Sequence, residues 1–338
     1  MMLTRRTLIG CAAALLAPTG AGAAERLITG VNLAGLEFNA RKLPGRLHHD
    51  FVAPTVGELD YYRGCGARAV RLPFLWERLE PRLGEGFDDG YWSLLSGLID
   101  ATDARGMRLI LDPHQYGRRR SRDGAHIIGE SAEVTADHFA AFWRELAQRC
   151  RRQSHVIFGL QNEPHDQDQA TLARVHSAAI AAIRETGARN LVLAPGSAWS
   201  GAHSWISSGN AETARAVADP LDNMAYDVHQ YLDRDSSGRS ANCVAGAGAR
   251  LEAFTRWARQ NGKRGFLGEF GGGPSEGCAR EVAALLEHVA ENRDVWLGWT
   301  GWAGGPWWGA NYPLSLEPAS LDTPRDRPQM AVLRRYFE

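Results

Sequence analysis

Residues 156–164 read Val-Ile-Phe-Gly-Leu-Gln-Asn-Glu-Pro, and this stretch decides the fold. Its first five residues form a short apolar run of the kind that is typical of a buried β-strand. The run then changes abruptly to polar residues, Gln161, Asn162 and Glu163. An amphipathic helical pattern follows over 168–186. A buried strand with polar residues at its carboxyl end and a helix behind it is the repeating unit of a parallel sheet.

The same unit recurs along the chain. Apolar runs predict eight strands, over 27–33, 67–73, 108–112, 156–160, 191–194, 224–228, 265–270 and 295–302. Helical patterns accompany them over 88–105, 131–151, 168–186, 247–260, 279–292 and 326–337. Eight such repeats predict an α/β fold, a single (β/α)8 TIM barrel of parallel strands with right-handed crossovers. Because such a barrel needs about 250 residues, the remaining length predicts extended βα loops over 37–54, 115–130 and 300–323.

An open, doubly wound sheet is the structural alternative. That fold would favour a Gly-x-Gly-x-x-Gly turn after the first strand. The chain has Asn32-Leu33-Ala34-Gly35 at this place instead. The closed barrel is therefore the better interpretation.

Composition and charge narrow the class of protein. The chain has 338 residues, of which 44% are hydrophobic and 23% charged, as in globular enzymes rather than disordered or membrane proteins. Lys and Arg number 38 against 39 Asp and Glu, a formal net charge of −1. With the charges dispersed along the sequence, we expect neither nucleic acid nor a membrane as a partner.

The first 23 residues predict an export signal rather than part of the fold. Arg5 and Arg6 precede an apolar run over 8–17, and Ala21-Gly22-Ala23 supplies a small-residue cleavage site. The adjacent arginines resemble a twin-arginine signal, and an ordinary secretory signal is the alternative. The remaining residues, 24–338, are expected to form one barrel domain in the periplasm or outside the cell.

Four cysteines remain after this cleavage: Cys65, Cys150, Cys243 and Cys278. They allow three pairings, and an oxidising compartment permits a disulfide. Cys243 and Cys278 lie in probable loops and could be linked to each other. Cys65 and Cys150 lie near the ends of helical patterns, where buried free thiols are expected.

The strand ends carry the candidate functional residues. In a barrel the chemistry lies at the carboxyl ends of the strands. The polar and aromatic residues at these ends are Arg71, Asp112, His114, Asn162, Glu163, His229, Tyr231, Glu269 and Trp302. Glu163 and Glu269 end the fourth and seventh strands, so the two carboxylates are expected to face each other across the barrel opening.

Two facing carboxylates suit the hydrolysis of a glycosidic bond. One must protonate the leaving oxygen, and the other must attack or activate water. Arg71 could pair with Glu269 and keep it ionised, while Glu163 stays protonated beside a carboxylate. Flat aromatic rings, offered by Trp302 and extended by Trp307 and Trp308, suit stacking against sugars. Of Trp199 and Trp205, one is expected in the core and the other in a sugar subsite.

These residues match a known family. The motifs are Arg71-Leu72-Pro73-Phe74, Asp112-Pro113-His114, Gln161-Asn162-Glu163-Pro164-His165, His229-Gln230-Tyr231, Gly268-Glu269-Phe270 and Trp302-Ala303-Gly304-Gly305-Pro306-Trp307-Trp308. Together they resemble glycoside hydrolase family 5, and within it the secreted fungal-type endo-β-1,4-glucanases. The resemblance covers the whole of the chain after the signal.

The resemblance implies a role for each matching residue. It implies a retaining double displacement, with Glu163 as acid/base and Glu269 as nucleophile. The other implied roles are support of the nucleophile by Arg71 and Tyr231, a bond from Asn162 to the sugar 2-hydroxyl, His114 and His229 lining the −1 subsite above Trp302, and a loop disulfide between Cys243 and Cys278. Apart from the resemblance, Trp199 is expected to be the subsite aromatic of the pair after the fifth strand. A monomer that needs no metal or cofactor and cleaves soluble or amorphous β-glucan is expected. Gln115 departs from the family, where Asn usually follows the histidine, so a bond to substrate at that place is in doubt.

Other functions remain open at this point. Endo-β-mannanases and mixed-linkage β-glucanases share the same machinery, and only loop contacts choose the sugar. A non-catalytic sugar-binding barrel would not need both glutamates. A metal-dependent barrel hydrolase would favour His-x-His on the first strand, where this chain has Asn32-Leu33-Ala34. Glu37 and Glu77 are expected to be solvated or to brace loops.

Overall fold

A computed structural model describes residues 26–309 and 311–338. Eight parallel strands close into a barrel in the order β1-β10-β9-β8-β7-β6-β3-β2. They are β1 (Ile28–Leu33), β2 (Ala69–Phe74), β3 (Arg108–Pro113), β6 (Val156–Gly159), β7 (Val192–Pro195), β8 (Met224–Tyr231), β9 (Gly265–Gly271) and β10 (Trp296–Gly304). The predicted TIM barrel is therefore confirmed. The predicted export signal lies outside the described residues.

Helices surround the barrel and bury their apolar faces against it. The helices are α1 (Val56–Cys65), α2 (Trp76–Leu79), α3 (Asp89–Asp103), α4 (Ala136–Cys150), α5 (Gln169–Glu185), α6 (Asn210–Thr213), α7 (Glu252–Gln260), α8 (Glu276–Glu291) and α9 (Pro328–Leu333). Side-chain caps fix where several of them begin. Asp168 accepts a hydrogen bond from the Thr171 amide at 2.8 Å before α5, and Ser275 accepts one from Cys278 before α8. Within the described part of the chain, none of the helices is long and apolar enough to cross a membrane.

Several elements near the mouth of the barrel differ from the sequence-based expectation. The loop predicted over 115–130 contains an antiparallel hairpin, β4 (Arg118–Ser121) with β5 (Gly124–Ile127). Strands β8 and β10 run three and two residues further than predicted, to Tyr231 and Gly304. Because side chains alternate along a strand, this extension carries His229 and Tyr231 into the barrel mouth as parts of β8 rather than as loop residues.

The barrel separates charge along its axis. Arginines gather around a depression at the amino-terminal end of the strands, and we call them the N-terminal arginine cluster: Arg26, Arg108, Arg151, Arg189, Arg264 and Arg293. Arginines that are dispersed along the sequence therefore come together on this face. All but Arg151 begin a strand or lie within three residues before one, so the parallel arrangement brings together positions that are far apart in the sequence.

Candidate active site

The Arg71 guanidinium organises the centre of the barrel mouth. Arg71 is fully buried, and its Nη1 lies 2.6 Å from Glu269 Oε1 and 2.9 Å from Asn32 Oδ1. Its Nη2 donates to Asn162 Oδ1 at 2.8 Å and lies 3.0 Å from Asp112 Oδ2. Desolvation alone would lower the pKa of Arg71, but the surrounding carboxylates raise it. The planar Arg71 cation thus links β2 to residues of β1, β3 and β9.

Glu269 is held as a carboxylate. Besides the Arg71 contact, its Oε2 accepts a hydrogen bond from the Tyr231 hydroxyl at 2.7 Å. Burial by itself would raise the pKa of Glu269, but His229, Arg71, His114 and the Tyr231 hydroxyl together lower it. A buried, ionised carboxylate with two strong donors is the state that a nucleophile requires.

Glu163 lies beside Glu269 with a different environment. Its Oε1 is 2.7 Å from His229 Nδ1, and its side chain retains some exposure to the cleft. Its backbone has a φ of 39°, a left-handed conformation that glutamate rarely adopts and that is common at functional sites. Carboxyl oxygens of Glu163 and Glu269 lie within 4.8 Å of each other. Two carboxyl groups this close can both reach a single bond of a bound substrate.

His229 lies between the two glutamates. Its Nδ1 is also 3.6 Å from Glu269 Oε2. Desolvation lowers the pKa of His229, but Glu269, Asp227 and Glu163 outweigh this effect and raise it. A protonated imidazole therefore lies between the two carboxyl groups. Gly268 provides the space for this arrangement, because a Cβ at its position would lie 2.1 Å from Asp227 Oδ1.

Asn162 offers an unused donor to the cleft. Its Oδ1 accepts from Arg71, which fixes the orientation of the amide. Its Nδ2 is buried and has no hydrogen-bond partner among the described residues. A buried donor without a partner is costly, and a ligand hydroxyl could satisfy it.

His114 and Trp302 form one wall of the site. Asp112 Oδ2 lies 2.7 Å from His114 Nδ1, which orients the imidazole. The His114 and Trp302 rings stack with centroids 5.6 Å apart. Trp302 Nε1 donates to the Tyr312 hydroxyl at 2.9 Å. Trp302 is thus a half-buried ring that His114 and Tyr312 hold in place.

The remaining predicted tryptophans differ in exposure. Trp308 is half-buried and stacks on Tyr312 with centroids 4.0 Å apart. Because Tyr312 is the hydrogen-bond partner of Trp302, this stacking helps to fix the position of Trp302. Trp307 is 38% exposed. Trp199 is 52% exposed and stacks on His165 at 4.6 Å, whereas Trp205 is fully buried. The structure therefore assigns Trp205 to the core and leaves Trp199 as a platform beside the site.

Glu37 and Glu77 near the mouth are buried. Of the two roles expected for them, bracing a loop applies and exposure to solvent does not. Glu37 accepts from the Gly35 amide at 2.7 Å, and burial raises its pKa to about 7. Glu77 accepts from the Arg120 amide and from the Gln115 side chain. Both brace loops and neither is solvated. Gln115 is therefore directed at Glu77 instead of at a substrate.

Sequence reasoning missed two residues of the site. Asn32 holds Arg71 and also donates to the Gly268 carbonyl at 2.9 Å. Tyr116 is 41% exposed and packs edge-on against His114 and His165. Asn32 could have been found as a polar residue at a strand end, but Tyr116 lies in a loop whose path the sequence does not reveal.

One group of side chains has the spacing of a metal site. Single ligand atoms of Glu163, His229 and Glu269 lie within 4.8 Å of one another. The Arg71 guanidinium already contacts Glu269, and His229 is held protonated between the glutamates. Both positive charges oppose a cation at this place. The donor set therefore fits proton transfer better than metal binding.

A disulfide joins the segment after β8 to the first turn of α8, so Cys278 lies in a helix and not in the loop expected from the sequence. Cys243 and Cys278 are bonded, as the family resemblance implies. Cys65 and Cys150 are free and buried, as expected.

Comparison with known proteins gives a consistent result. A family model described as cellulase (glycosyl hydrolase family 5) matches residues 31–305. The chain is 40% identical over 295 residues to endo-beta-1,4-glucanase A of Emericella nidulans, covering 86% of this chain and 87% of that protein. It is 38% identical to the probable endo-beta-1,4-glucanase B of Neosartorya fischeri, covering 86% of each chain.

Solved structures agree with these matches. The endo-beta-1,4-glucanase Xac0029 from Xanthomonas axonopodis pv. citri is 42% identical, with a TM-score of 0.87, covering 93% of this chain and all of that one. A structure described as XacCel5A in complex with cellopentaose is 41% identical, with a TM-score of 0.87, covering 92% of this chain and 99% of that one.

Proposed function

The chain belongs to the cellulase family, glycosyl hydrolase family 5, and from this premise we propose that it is a retaining endo-β-1,4-glucanase. The observation that carries the proposal is the pair Glu163 and Glu269, with carboxyl oxygens within 4.8 Å of each other. Retaining glycosidases place their carboxyl groups about 5–5.5 Å apart, and inverting enzymes about 6.5–9.5 Å apart. The named relatives are endoglucanases, which supports β-1,4-glucan as the substrate class.

The first step forms a bond to the enzyme. A Glu269 carboxylate oxygen attacks the anomeric carbon at the −1 subsite, and the bond from that carbon to the glycosidic oxygen breaks. Glu163 gives its proton to the departing oxygen. The 2.7 Å contact between His229 Nδ1 and Glu163 Oε1 keeps a proton available at this pair. The products are a glycosyl ester of Glu269 and a free reducing-end fragment.

The second step releases the sugar. Glu163, now a carboxylate, takes a proton from water, and the water oxygen attacks the same carbon. Glu269 leaves as a carboxylate, which Arg71 and Tyr231 stabilise by their hydrogen bonds. Two inversions restore the β configuration.

The other site residues bind and orient the glucan. The free Asn162 Nδ2 donates to the 2-hydroxyl, a bond that strengthens as positive charge develops on the ring. His114 and His229 line the −1 subsite, and Trp302 forms its floor. Trp199 and Trp307 are exposed enough to stack against sugars further along the cleft.

We also propose that the protein acts outside the cytoplasm as a monomer. Residues 1–23 have the pattern of an export signal, and the Cys243–Cys278 disulfide suits an oxidising compartment. Whether this compartment is the periplasm or the medium would be decided by fractionating cells that express the full chain.

Hydrolysis of three polymers tests the proposal. Purified enzyme is assayed on carboxymethyl cellulose, barley β-glucan and galactomannan, with Glu163→Gln and Glu269→Gln in parallel. We expect cleavage of the first two polymers, and a loss of about 10³-fold or more in both variants. Glu287→Gln, on the exposed face of α8, is the matched control and should retain full activity. NMR of the initial product from a cello-oligosaccharide should show the β-anomer.

The alternatives give different results. Preferred cleavage of galactomannan would preserve the mechanism and overturn the substrate. Wild-type inactivity on all polymers, with sugar binding unchanged in both variants, would favour a non-catalytic sugar-binding barrel.

A further inference from the structure

The end of the barrel opposite the active site carries a second concave surface. A cavity of about 460 Å³ lies at the amino-terminal ends of the strands, and the N-terminal arginine cluster lines it. The proposed hydrolytic residues all lie at the carboxyl ends of the strands. This cavity therefore has no part in the proposed reaction.

Positive charge in this cavity is largely uncompensated. Within residues 26–309 and 311–338, five of the six arginines form no ion pair within 4.0 Å: Arg26, Arg108, Arg151, Arg189 and Arg264. The sixth, Arg293, pairs with Glu338, whose pKa Arg26 also helps to lower. Asp294 lines the cavity too, but it pairs with Arg259 outside it. The pKa of the adjoining Arg68 is lowered by desolvation and by repulsion from Arg63 and Arg26, as expected where cations crowd.

Backbone carbonyls position several of these side chains. Arg108 donates to the Ser154 carbonyl at 2.8 Å, and Arg151 donates to the Thr186 carbonyl at 3.2 Å. Arg264 donates to the Asp222 carbonyl at 2.7 Å. A guanidinium has five N–H groups, so each side chain is oriented by a neutral acceptor and keeps donors free for an anion.

The floor of the cavity is apolar. It includes Ile28, Leu191 and Leu297, which close the bottom of the barrel and remain partly exposed. An apolar floor below a rim of arginines fits a ligand with flat apolar faces and carboxylates at its edges. A sugar ring that carries a carboxylate has this chemistry.

From these observations we infer that the N-terminal arginine cluster binds an acidic polysaccharide whose sugars carry carboxylates. Arginine forks match carboxylates in bidentate geometry. A concave site of this size excludes a nucleic acid duplex. In the described chain the floor also lacks an exposed aromatic ring on which single-stranded bases would stack, because Trp296 is buried. A membrane would instead favour a protruding apolar surface.

The N-terminal arginine cluster can be occupied without blocking the active site. Because the two sites lie at opposite ends of the barrel, an acidic polymer bound at the arginine cluster leaves the active-site cleft open. The enzyme would be held on an acidic matrix while it acts on a neutral glucan.

Binding of oligogalacturonate to the signal-free protein tests this inference. Affinity is measured by calorimetry for the wild type, for Arg108→Gln/Arg151→Gln/Arg189→Gln, and for the control Arg256→Gln/Arg280→Gln/Arg325→Gln. The control removes the same charge from exposed arginines elsewhere. We expect binding that weakens with salt, and about a tenfold loss in the first variant only. The methyl-esterified oligomer, with the same backbone but no charge, should not bind.

Further measurements separate this site from the active site. Cellotetraose should not displace the oligogalacturonate, and both variants should hydrolyse soluble neutral glucan at the wild-type rate. Equal loss in both variants, or equal binding of the esterified oligomer, would overturn the inference. Tight binding of DNA with none of oligogalacturonate would overturn it as well, because it would assign the cluster to nucleic acid.

Discussion

The hydroxyl of Tyr231 illustrates how one group controls the charge of the proposed nucleophile. It donates to Glu269 Oε2 at 2.7 Å and helps to lower the pKa of Glu269. In Tyr231→Phe the carboxylate loses this donor, so its pKa should rise. We expect kcat/KM to fall about 10- to 100-fold, since a hydrogen bond to a charged group is lost. The acid limb of the pH profile should move to higher pH.

A matched substitution separates this electrostatic effect from a structural one. Tyr336→Phe removes another hydroxyl that donates to a glutamate, Glu287, at 3.0 Å and far from the cleft. It should change neither kcat/KM nor the pH profile. If Tyr231→Phe lowers activity but leaves the acid limb in place, Tyr231 does not act through the charge of Glu269.

Individual residues were predictable where the strand pattern determines their position. Glu163 and Glu269 end apolar runs, so the barrel alone directs them to one face. The contact between Gln115 and Glu77 was not predictable, because the two residues come from loops and meet only through the path of the β4–β5 hairpin. Burial of Glu37 depends in the same way on a long loop folding over it.

At the scale of elements, the Cys243–Cys278 disulfide links the segment after β8 to the first turn of α8. Its two cysteines are 35 residues apart. The cross-link lowers the conformational entropy of the unfolded chain, which stabilises the folded protein by about 3–4 kcal/mol. We expect Cys243→Ser/Cys278→Ser to lower the free energy of unfolding by about this amount, as measured in guanidinium chloride. Activity at 25 °C should persist, because His229, Tyr231 and Glu269 are held by strands.

Reduction provides the control for this prediction. A reductant should destabilise the wild type to the level of the double variant and leave the double variant unchanged, since Cys65 and Cys150 are not bonded. An equal effect of the reductant on both proteins would show that the disulfide is not the source of the stability.

Elements were predictable in proportion to the strength of their pattern. The long helices α3, α4 and α5 have clear apolar faces, whereas α1 has its polar and apolar residues poorly separated and was not anticipated. The hairpin has no apolar alternation, because β4 reads Arg-Arg-Arg-Ser. It depends instead on tertiary contacts such as Arg119 over the Trp76 ring at 5.2 Å.

For the whole molecule, the barrel converts scattered sequence positions into two faces of opposite character. Carboxylates gather where strands end, and arginines gather where strands begin. The net charge of −1 is a sum over both faces and reveals neither. Composition alone therefore gives no sign of the basic cavity that the folded chain carries.

A buried carboxyl outside the active site makes the stability of the whole fold depend on pH. Glu58 is fully buried in α1 beside Glu317, and burial raises its pKa from 4.5 to about 7. The folded protein therefore retains a proton that the unfolded chain releases above pH 4.5. The stability that this carboxyl supports is complete below pH 4.5 and is lost as the pH rises to 7.

Glu58→Gln should remove this dependence, because the amide resembles the protonated carboxyl and does not ionise. Relative to the wild type, the free energy of unfolding of the variant should rise by about 2–3 kcal/mol between pH 5 and pH 8. Urea unfolding at both pH values measures the difference, with the exposed Glu287→Gln as a control that follows the wild type at each pH. Other groups also make stability depend on pH in this range, including His176, because burial lowers its pKa from 6.5 to about 3 in the folded protein. Only the difference between proteins is therefore diagnostic. A constant difference between Glu58→Gln and the wild type would mean that Glu58 is ionised in the folded protein throughout this range, which would contradict the prediction.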